Sequence, residues 1–236
     1  MYREFRPPPH LRSSIACLWT RSGDGGAVRV MPDACTDIVW RAGNGAAVAG
    51  PDTGHWFSAT EPGQAIVGIR LLPGAGGAAL RLPLAELRDQ RVAVSDLGLD
   101  PHEQLDPDAR PDEVVRRLAA LAMSLTAAGP PDRAVQAAVR RLMNPGQRVD
   151  RLASELGFSE RQLRRRFAVA VGYGPKALQR VLRLRRFLSA DAEHLTRAAL
   201  EAGYSDQAHL SRDCRELTGL TPLQLLSTTA AREDAD

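Results

Sequence analysis

Hydrophobic and polar positions alternate with two different periods along this chain. Residues 1–100 carry short apolar runs: IACLW (Ile15 to Trp19), VRVM (Val28 to Met31), TDIVW (Thr36 to Trp40) and AIVGIRLL (Ala65 to Leu72). Turn-like SGDGG, RAGNG and EPG separate them, and runs of that length bounded by Gly, Pro, Asn and Asp predict an antiparallel sheet. After LLPGAGG, the segment AALRLPLAELRD predicts one or two short helices. Pro101 to Pro111 (PHEQLDPDARP) reads as a polar, proline-bracketed linker. In DEVVRRLAALAMSLTAA, Val114, Leu118, Leu121 and Leu125 fall on one helical face, which predicts either a brace between domains, the simpler role, or a dimerisation element. From Pro130 onward, helical patterns joined by short turns dominate.

The helical half contains one pattern twice. DRLASELGFSE (Asp150 to Glu160) aligns with TRAALEAGYSD (Thr196 to Asp206) at a constant offset of 46. Beyond the turn the offset is 47, matching Leu163 to Leu210, Arg165 to Arg212, Gly172 to Gly219 and Pro175 to Pro222. Asp150 and Thr196 are expected as N-caps of the first helices, and Gly157 and Gly203 as left-handed residues that let the chain leave them. Ser159 with Gln162 makes a capping-box pattern, with Asp206 in the equivalent position of the second copy. Ala153 and Ala199 are small where helices must cross closely. Leu163 with Phe167, and Leu210 with Cys214, form inward i, i+4 stripes. Each copy therefore reads as a helix-turn-helix.

With those stripes inward, Arg161, Arg164 and Arg165 share the outer face of the first copy. Gln207, Ala208, His209 and Arg212 occupy the same side of the second. Arginine and glutamine match the major-groove edges of guanine and adenine, so this face is the candidate DNA surface; a merely solvated basic face explains the second copy poorly, because it carries little charge yet keeps hydrogen-bonding side chains.

Composition sharpens this picture. The net charge is +3, but residues 130–226 hold 17 Lys and Arg against 10 Asp and Glu, whereas residues 1–129 hold 13 against 15. The basic half calls for an acidic partner, and all but Lys176 of its cations are guanidinium groups suited to bidentate contacts. No apolar run approaches the roughly 20 residues that span a bilayer, and the opening MYREFRPPPH has no leader pattern, so no membrane association and a cytoplasmic, nucleoid-associated protein are expected. Cys17, Cys35 and Cys214 lack disulfide or zinc-finger spacing, and neither a metal nor a cofactor is expected.

The stretch LASELGFSERQLRRRFAVAVGYGP, followed by a connecting helix and AALEAGYSDQAHLSRDCRELTGLTPLQLL, resembles the DNA-binding domain of AraC/XylS-family transcriptional regulators over about Asp132 to Leu226. The resemblance implies base-reading helices at Ser159 to Ala168 and Asp206 to Leu217. A long helix, Pro175 to about Ser189, would hold them in successive major grooves of double-stranded DNA, about 34 Å apart. The expected DNA contacts are Ser159, Glu160, Arg161, Arg164 and Arg165 in the first unit, and Asp206, Gln207, His209 and Arg212 in the second. Phosphate contacts are expected from Lys176 and Arg183, opposite a buried stripe of Ala177, Val181, Leu184 and Leu188. Cys214 stands where the motif usually has an aromatic residue and is expected as a small buried hydrophobe.

The segments MPDACTDIVW, VGIRLLPGAGGAAL and LPLAELRDQRVAVSDL resemble the divergent effector domain that accompanies this motif, which implies a small, partly barrel-like β domain able to bind a metabolite. Trp40, His55, Trp56 and Arg70 are its candidate pocket residues. The expected fold class is α+β: a β-rich domain at 1–100, a linker and helix at 101–129, an all-α domain with two helix-turn-helix units joined by a long helix at 130–228, and a flexible tail at 229–236. The implied function is sequence-specific transcription regulation, activation rather than repression, without enzymatic activity. Expected partners are DNA, RNA polymerase, a small-molecule effector and a second copy of the chain. Two alternatives stand beside it: a DNA-targeted repair enzyme transferring alkyl groups to Cys35, and a first domain that only dimerises.

Overall fold

The computed structural model describes residues 2–99, 105–127, 129–190 and 194–233. Strands β1 (Tyr2–Phe5), β2 (Ile15–Val30), β3 (Thr36–Arg41), β4 (Gly45–Ala49), β5 (Trp56–Leu71) and β6 (Arg91–Ala93) form one antiparallel sheet in the order β1-β2-β5-β3-β4-β6. Helix α1 (Gly76–Leu80) and a 3-10 turn at Leu84–Glu86 follow β5, matching the short helices expected there. Helix α2 (Pro111–Ala127) comes next, and α3 (Arg133–Leu142) opens the helical half. That half continues with α4 (Val149–Glu155), α5 (Glu160–Ala170), α6 (Pro175–Leu188), α7 (Leu195–Ala202), α8 (Gln207–Thr218) and α9 (Pro222–Glu233). An antiparallel sheet followed by a helical region is the architecture the sequence patterns predict.

The sheet corrects two expected turns. SGDGG and EPG lie inside 16-residue strands β2 and β5, where Asp24 faces Pro62 and Gly26 faces Thr60. A register shift between Ser22 and Asp24 absorbs the distortion these residues bring, so the ladder bends without ending. RAGNG does turn, closing the β3–β4 hairpin with Gly43 and Gly45 both at positive φ.

Period-two alternation gives the sheet two unlike faces. Ile38, Trp40, Val48, Val67, Ile69 and Leu71 point to one side and are buried against Val114, Leu118, Leu121 and Leu125 of α2. Helix α2 therefore spends its apolar face as the second layer of the first core. The linker before it is also engaged: Leu105 is buried there, and the Asp106 carbonyl accepts from Trp40 Nε1 at 3.0 Å. Residues 101–104 of that linker, and residue 100 before it, lie outside the described residues. Helix α9 reaches Glu233, into the expected tail, whose last three residues lie outside the described set.

The helical half has two cores, one per repeat, and α6 serves both. Its Leu178, Val181 and Leu182 join Leu152, Ala153, Leu163 and Phe167 in the first. Its Leu184 and Phe187 join Ala199, Tyr204, Leu210 and Cys214 in the second. The expected stripe is thus corrected: Ala177 and Leu188 are only half-buried, because a helix touching two partners in succession buries two staggered faces instead of one.

Candidate nucleic-acid interface and cavity

Each helix-turn-helix is built by local chemistry. In the first unit Gly157 takes φ +75° after α4, and Ser159 caps α5: its Oγ accepts from Gln162 N at 3.2 Å, while Gln162 Oε1 accepts from Ser159 N at 2.9 Å. Leu163 and Phe167 are buried, the latter completely, and burying one such side chain stabilises by roughly 1.5–3 kcal/mol. In the second unit Gly203 leaves α7 at φ +94°, and Asp206 Oδ1 caps α8 by accepting from His209 N at 2.7 Å. The first-helix caps differ from expectation. Arg148 and His194 occupy those positions, each two residues early, so Asp150 and Thr196 lie in the first turns. Asp150 there is held in an ion pair by Arg148 at 2.7 Å, which keeps its carboxyl below the usual range.

The outer faces separate the arginines. Ser159, Glu160, Arg161, Arg164 and Arg165 are exposed on α5 or at its entrance, and among the described residues none of these three arginines forms an ion pair. Arg166 is different: it pairs with Asp132, which also caps α3, at 2.6 Å and lies over the Phe158 ring. On α8, Gln207 and Arg212 are exposed, with the capping Asp206 before them. His209 is half-buried, with Nδ1 3.2 Å from Ser205 Oγ and its ring edge-on to Tyr204.

Most cations of α6 are used inside the fold. Arg180 bonds Asp213, which is buried on α8, and also Glu216. Arg183, expected at phosphate, is half-buried, stacked on Tyr204 at 5.6 Å and 3.5 Å from His209 Nε2. Arg186 donates to the Ala202 and Met143 carbonyls at 3.0 and 3.1 Å, closing the ends of α7 and α3. Lys176 alone of these is exposed with no partner among the described residues. Their spacing on a basic helix gave no sign of this, since the acceptors come from distant segments.

The sheet face away from α2 encloses a cavity of about 890 Å³, lined among others by Trp19, Asp33, Asp37, Arg41, Trp56, Arg70 and Arg91. Two of the four expected pocket residues, Trp56 and Arg70, line it. The other two do not. Trp40 has the opposite parity on β3 and is fully buried in the α2 core. His55 turns toward the helical half, its N–H donating to the Leu217 carbonyl at 2.7 Å. Arg70 lies between Asp37 (3.2 Å) and Asp33 (3.4 Å); burial opposes its charge, but the two carboxylates more than offset that. Burial raises the Asp37 carboxyl to about 6, with Arg70 pulling the other way. Gly68 is required beneath Trp19, since a Cβ there would stand 2.3 Å from the indole.

Cys35 is buried, and burial followed by the charges of Asp33 and Asp37 pushes its thiol well up, which works against the thiolate that alkyl transfer uses. Cys214 is fully buried in the second core, as expected for a small hydrophobe. Among the described residues no group of three or more His, Cys, Asp or Glu could hold a metal ion, and no helix is long and apolar enough to cross a membrane.

The two halves meet at the β2–β3 loop and at the ends of the outer helices. Ala34 is part of the first helical core and Met31 packs on the second, while Met31, Asp33 and Cys35 also line the cavity. Arg185 donates to the Asp33 carbonyl at 3.2 Å, and Arg29 to the Thr218 carbonyl at 2.6 Å. Sequence reading missed this junction because each contact joins residues more than a hundred positions apart.

Residues 152–228 match a family described as a helix-turn-helix domain, and residues 3–93 match a domain of unknown function, DUF6597. No curated protein sequence matches the chain. Among solved structures, ToxT from Vibrio cholerae is similar at 8% identity and a TM-score of 0.46, covering 89% of this chain and 97% of that one. An apo lysine-to-alanine variant of ToxT gives 10% identity, TM-score 0.46 and coverages of 89% and 97%. The unsaturated fatty acid bound wild-type ToxT gives 8%, 0.44, 87% and 96%.

Proposed function

We propose, from the premise that this chain carries an AraC-type helix-turn-helix domain and is a DNA-binding transcription regulator, that α5 and α8 read an asymmetric operator in two successive major grooves. Arg161, Arg164 and Arg165 would contact base edges in the first groove, with Ser159 and Glu160 at the helix entrance. Gln207 and Arg212 would do so in the second, with Asp206 and His209 ordering the entrance of α8. Lys176 is the phosphate contact this reading retains; Arg183 becomes a positioning residue for His209 and Tyr204. The observation that supports the assignment is three exposed arginines, without ion pairs among the described residues, on a capped helix anchored by buried Leu163 and Phe167, beside a fourth that is tied into the fold.

The N-terminal domain, in this reading, binds a small molecule and adjusts the two units. The loop Met31–Cys35 supports it, since it forms part of the cavity wall and contributes to both helical cores. Ligand and operator would then be coupled through differential contact with one segment. Activation through RNA polymerase and self-association of the chain belong to the same proposal. Absence of enzymatic activity is also part of it.

Selection of bound duplexes from a random library by the full chain tests the DNA reading. The expected outcome is a non-palindromic site with two preferred blocks about one helical turn apart. A footprint shorter than one turn, or binding without preference, overturns it.

A further inference from the structure

Among the described residues, one cation lining the cavity has no acidic partner. Four arginines and four aspartates line it, and three of the arginines have acidic partners. Arg91 makes a bidentate pair with Asp52 at 2.8 and 2.7 Å, Arg70 lies between Asp37 and Asp33, and Arg21 stands 3.4 Å from Asp24. Arg41 has only neutral acceptors: Nη2 donates to Ser58 Oγ at 2.8 Å and Nη1 to the Ala59 carbonyl at 3.2 Å. Among the described residues it forms no ion pair. Burial, then repulsion from Arg91 and Arg21, pulls its guanidinium below the ordinary arginine range. Because arginine does not give up its proton near neutral pH, an anion in the cavity is what relieves it.

A second donor on the same wall is also unsatisfied. Trp56 Nε1 is buried without an acceptor, and the Trp56 ring centroid is 6.0 Å from the Arg41 guanidinium carbon. The Arg91 guanidinium covers that indole at 4.0 Å, fixing its plane. The acidic end of the cavity is by contrast closed: Asp37 accepts from Trp19 Nε1 at 3.1 Å besides Arg70, and Asp33 accepts from Cys35 N at 2.9 Å. Between the two ends the lining is apolar, including Val28, Val30, Val39, Ala47, Ala49 and Ile66. A volume of about 890 Å³ lies within the range of pockets that enclose small organic molecules.

We propose that this cavity binds an organic monocarboxylate, its carboxylate received by Arg41 and the Trp56 indole N–H and its apolar body laid along the valine, alanine and isoleucine wall. The inference rests on the reading of the N-terminal domain as ligand-responsive and specifies the ligand class. At the Arg41 end a cationic ligand would meet the unpaired guanidinium, and a neutral one would leave that guanidinium without a counter-charge.

The test uses the full chain and four probes followed by calorimetry: octanoate, phenylacetate and the corresponding neutral amides, octanamide and phenylacetamide. At least one acid is expected to bind at least about tenfold more tightly than its own amide, the difference a charge-assisted hydrogen bond supplies. Arg41→Gln, which removes the charge and keeps an amide donor, is expected to erase that preference with Tm within about three degrees of the parent, whereas Arg21→Gln keeps it. Equal binding of acid and amide, an undiminished preference in Arg41→Gln, or no binding of any probe overturns the proposal. Operator selection by the same protein is measured separately and stands or falls independently. Arg41-dependent binding that leaves operator affinity unchanged would keep the site and remove its regulatory role.

Discussion

Arg29 and Thr218, 189 positions apart in sequence, meet where the sheet touches the end of the second outer helix, the Arg29 guanidinium donating to the Thr218 carbonyl at 2.6 Å. That carbonyl belongs to the last turn of α8, where acceptors lack intrahelical partners and a cation is favoured. One residue back, the His55 backbone N–H serves the Leu217 carbonyl in the same way at 2.7 Å. The sheet thus finishes a helix that its own chain segment leaves incomplete.

Removing this contact should loosen α8 from its outer end. Arg29→Ala is expected to cost about 1 kcal/mol and to speed amide exchange across residues 207–220, with β3 and β4 unaffected. Exchange rates equal to the parent's in that segment would mean the contact carries no restraint.

Arg164→Ala or Arg165→Ala should cost about 1–3 kcal/mol on the selected operator and broaden base preference in one of its blocks, leaving folding unchanged. Arg183→Ala should act otherwise, lowering Tm through lost packing on Tyr204 and leaving the salt dependence of DNA binding as in the parent. A flattened salt slope in Arg183→Ala would return it to the phosphate role.

Gly77→Ala tests the contact between α1 and the end of α5. Helix propensity alone favours alanine by about 1 kcal/mol, but the added Cβ would stand 2.3 Å from the Val169 carbonyl oxygen and 3.1 Å from the Ala170 Cα. Backbone cannot yield as a side chain does, so a net loss of about 1–3 kcal/mol is expected by thermal unfolding. A more stable variant would show that the two halves separate freely there.

Asp37 gives stability a pH dependence of definite sign. Its carboxyl titrates at about 6 in the folded chain against an ordinary 3.8, so the folded state holds the proton more tightly. The group's contribution is complete below the unfolded value and is lost as pH rises through about 6. Denaturant unfolding of Asp37→Asn should therefore show a flatter stability profile between about pH 4 and 6 than the parent; superimposable profiles would remove Asp37 as the cause.

Much of the helical half was legible because its determinants are local. Ser159, Gln162, Asp206, Gly157 and Gly203 act within a few residues of where they stand, and the stripes Leu163 with Phe167 and Leu210 with Cys214 need only the helical period. The sheet was legible in kind but not in extent. Gly26 and Pro62 look like chain reversals one strand at a time, yet both are paired across the ladder, with Thr60 and Asp24.

What the sequence by itself determined is the repeated helix-turn-helix, the caps of its second helices and the inward faces, and the two-part division of sheet before helices, since each follows from periodicity and short-range hydrogen bonding. Only the tertiary structure decided which charges are free. Arg164 and Arg166 are two residues apart on one helix, yet Asp132 reaches only the second. Arg41 and Arg70 lie on neighbouring strands of one cavity wall, yet acids flank only Arg70. Availability for an outside partner depends on where distant segments place their carboxylates and carbonyls, and no local pattern carries that information.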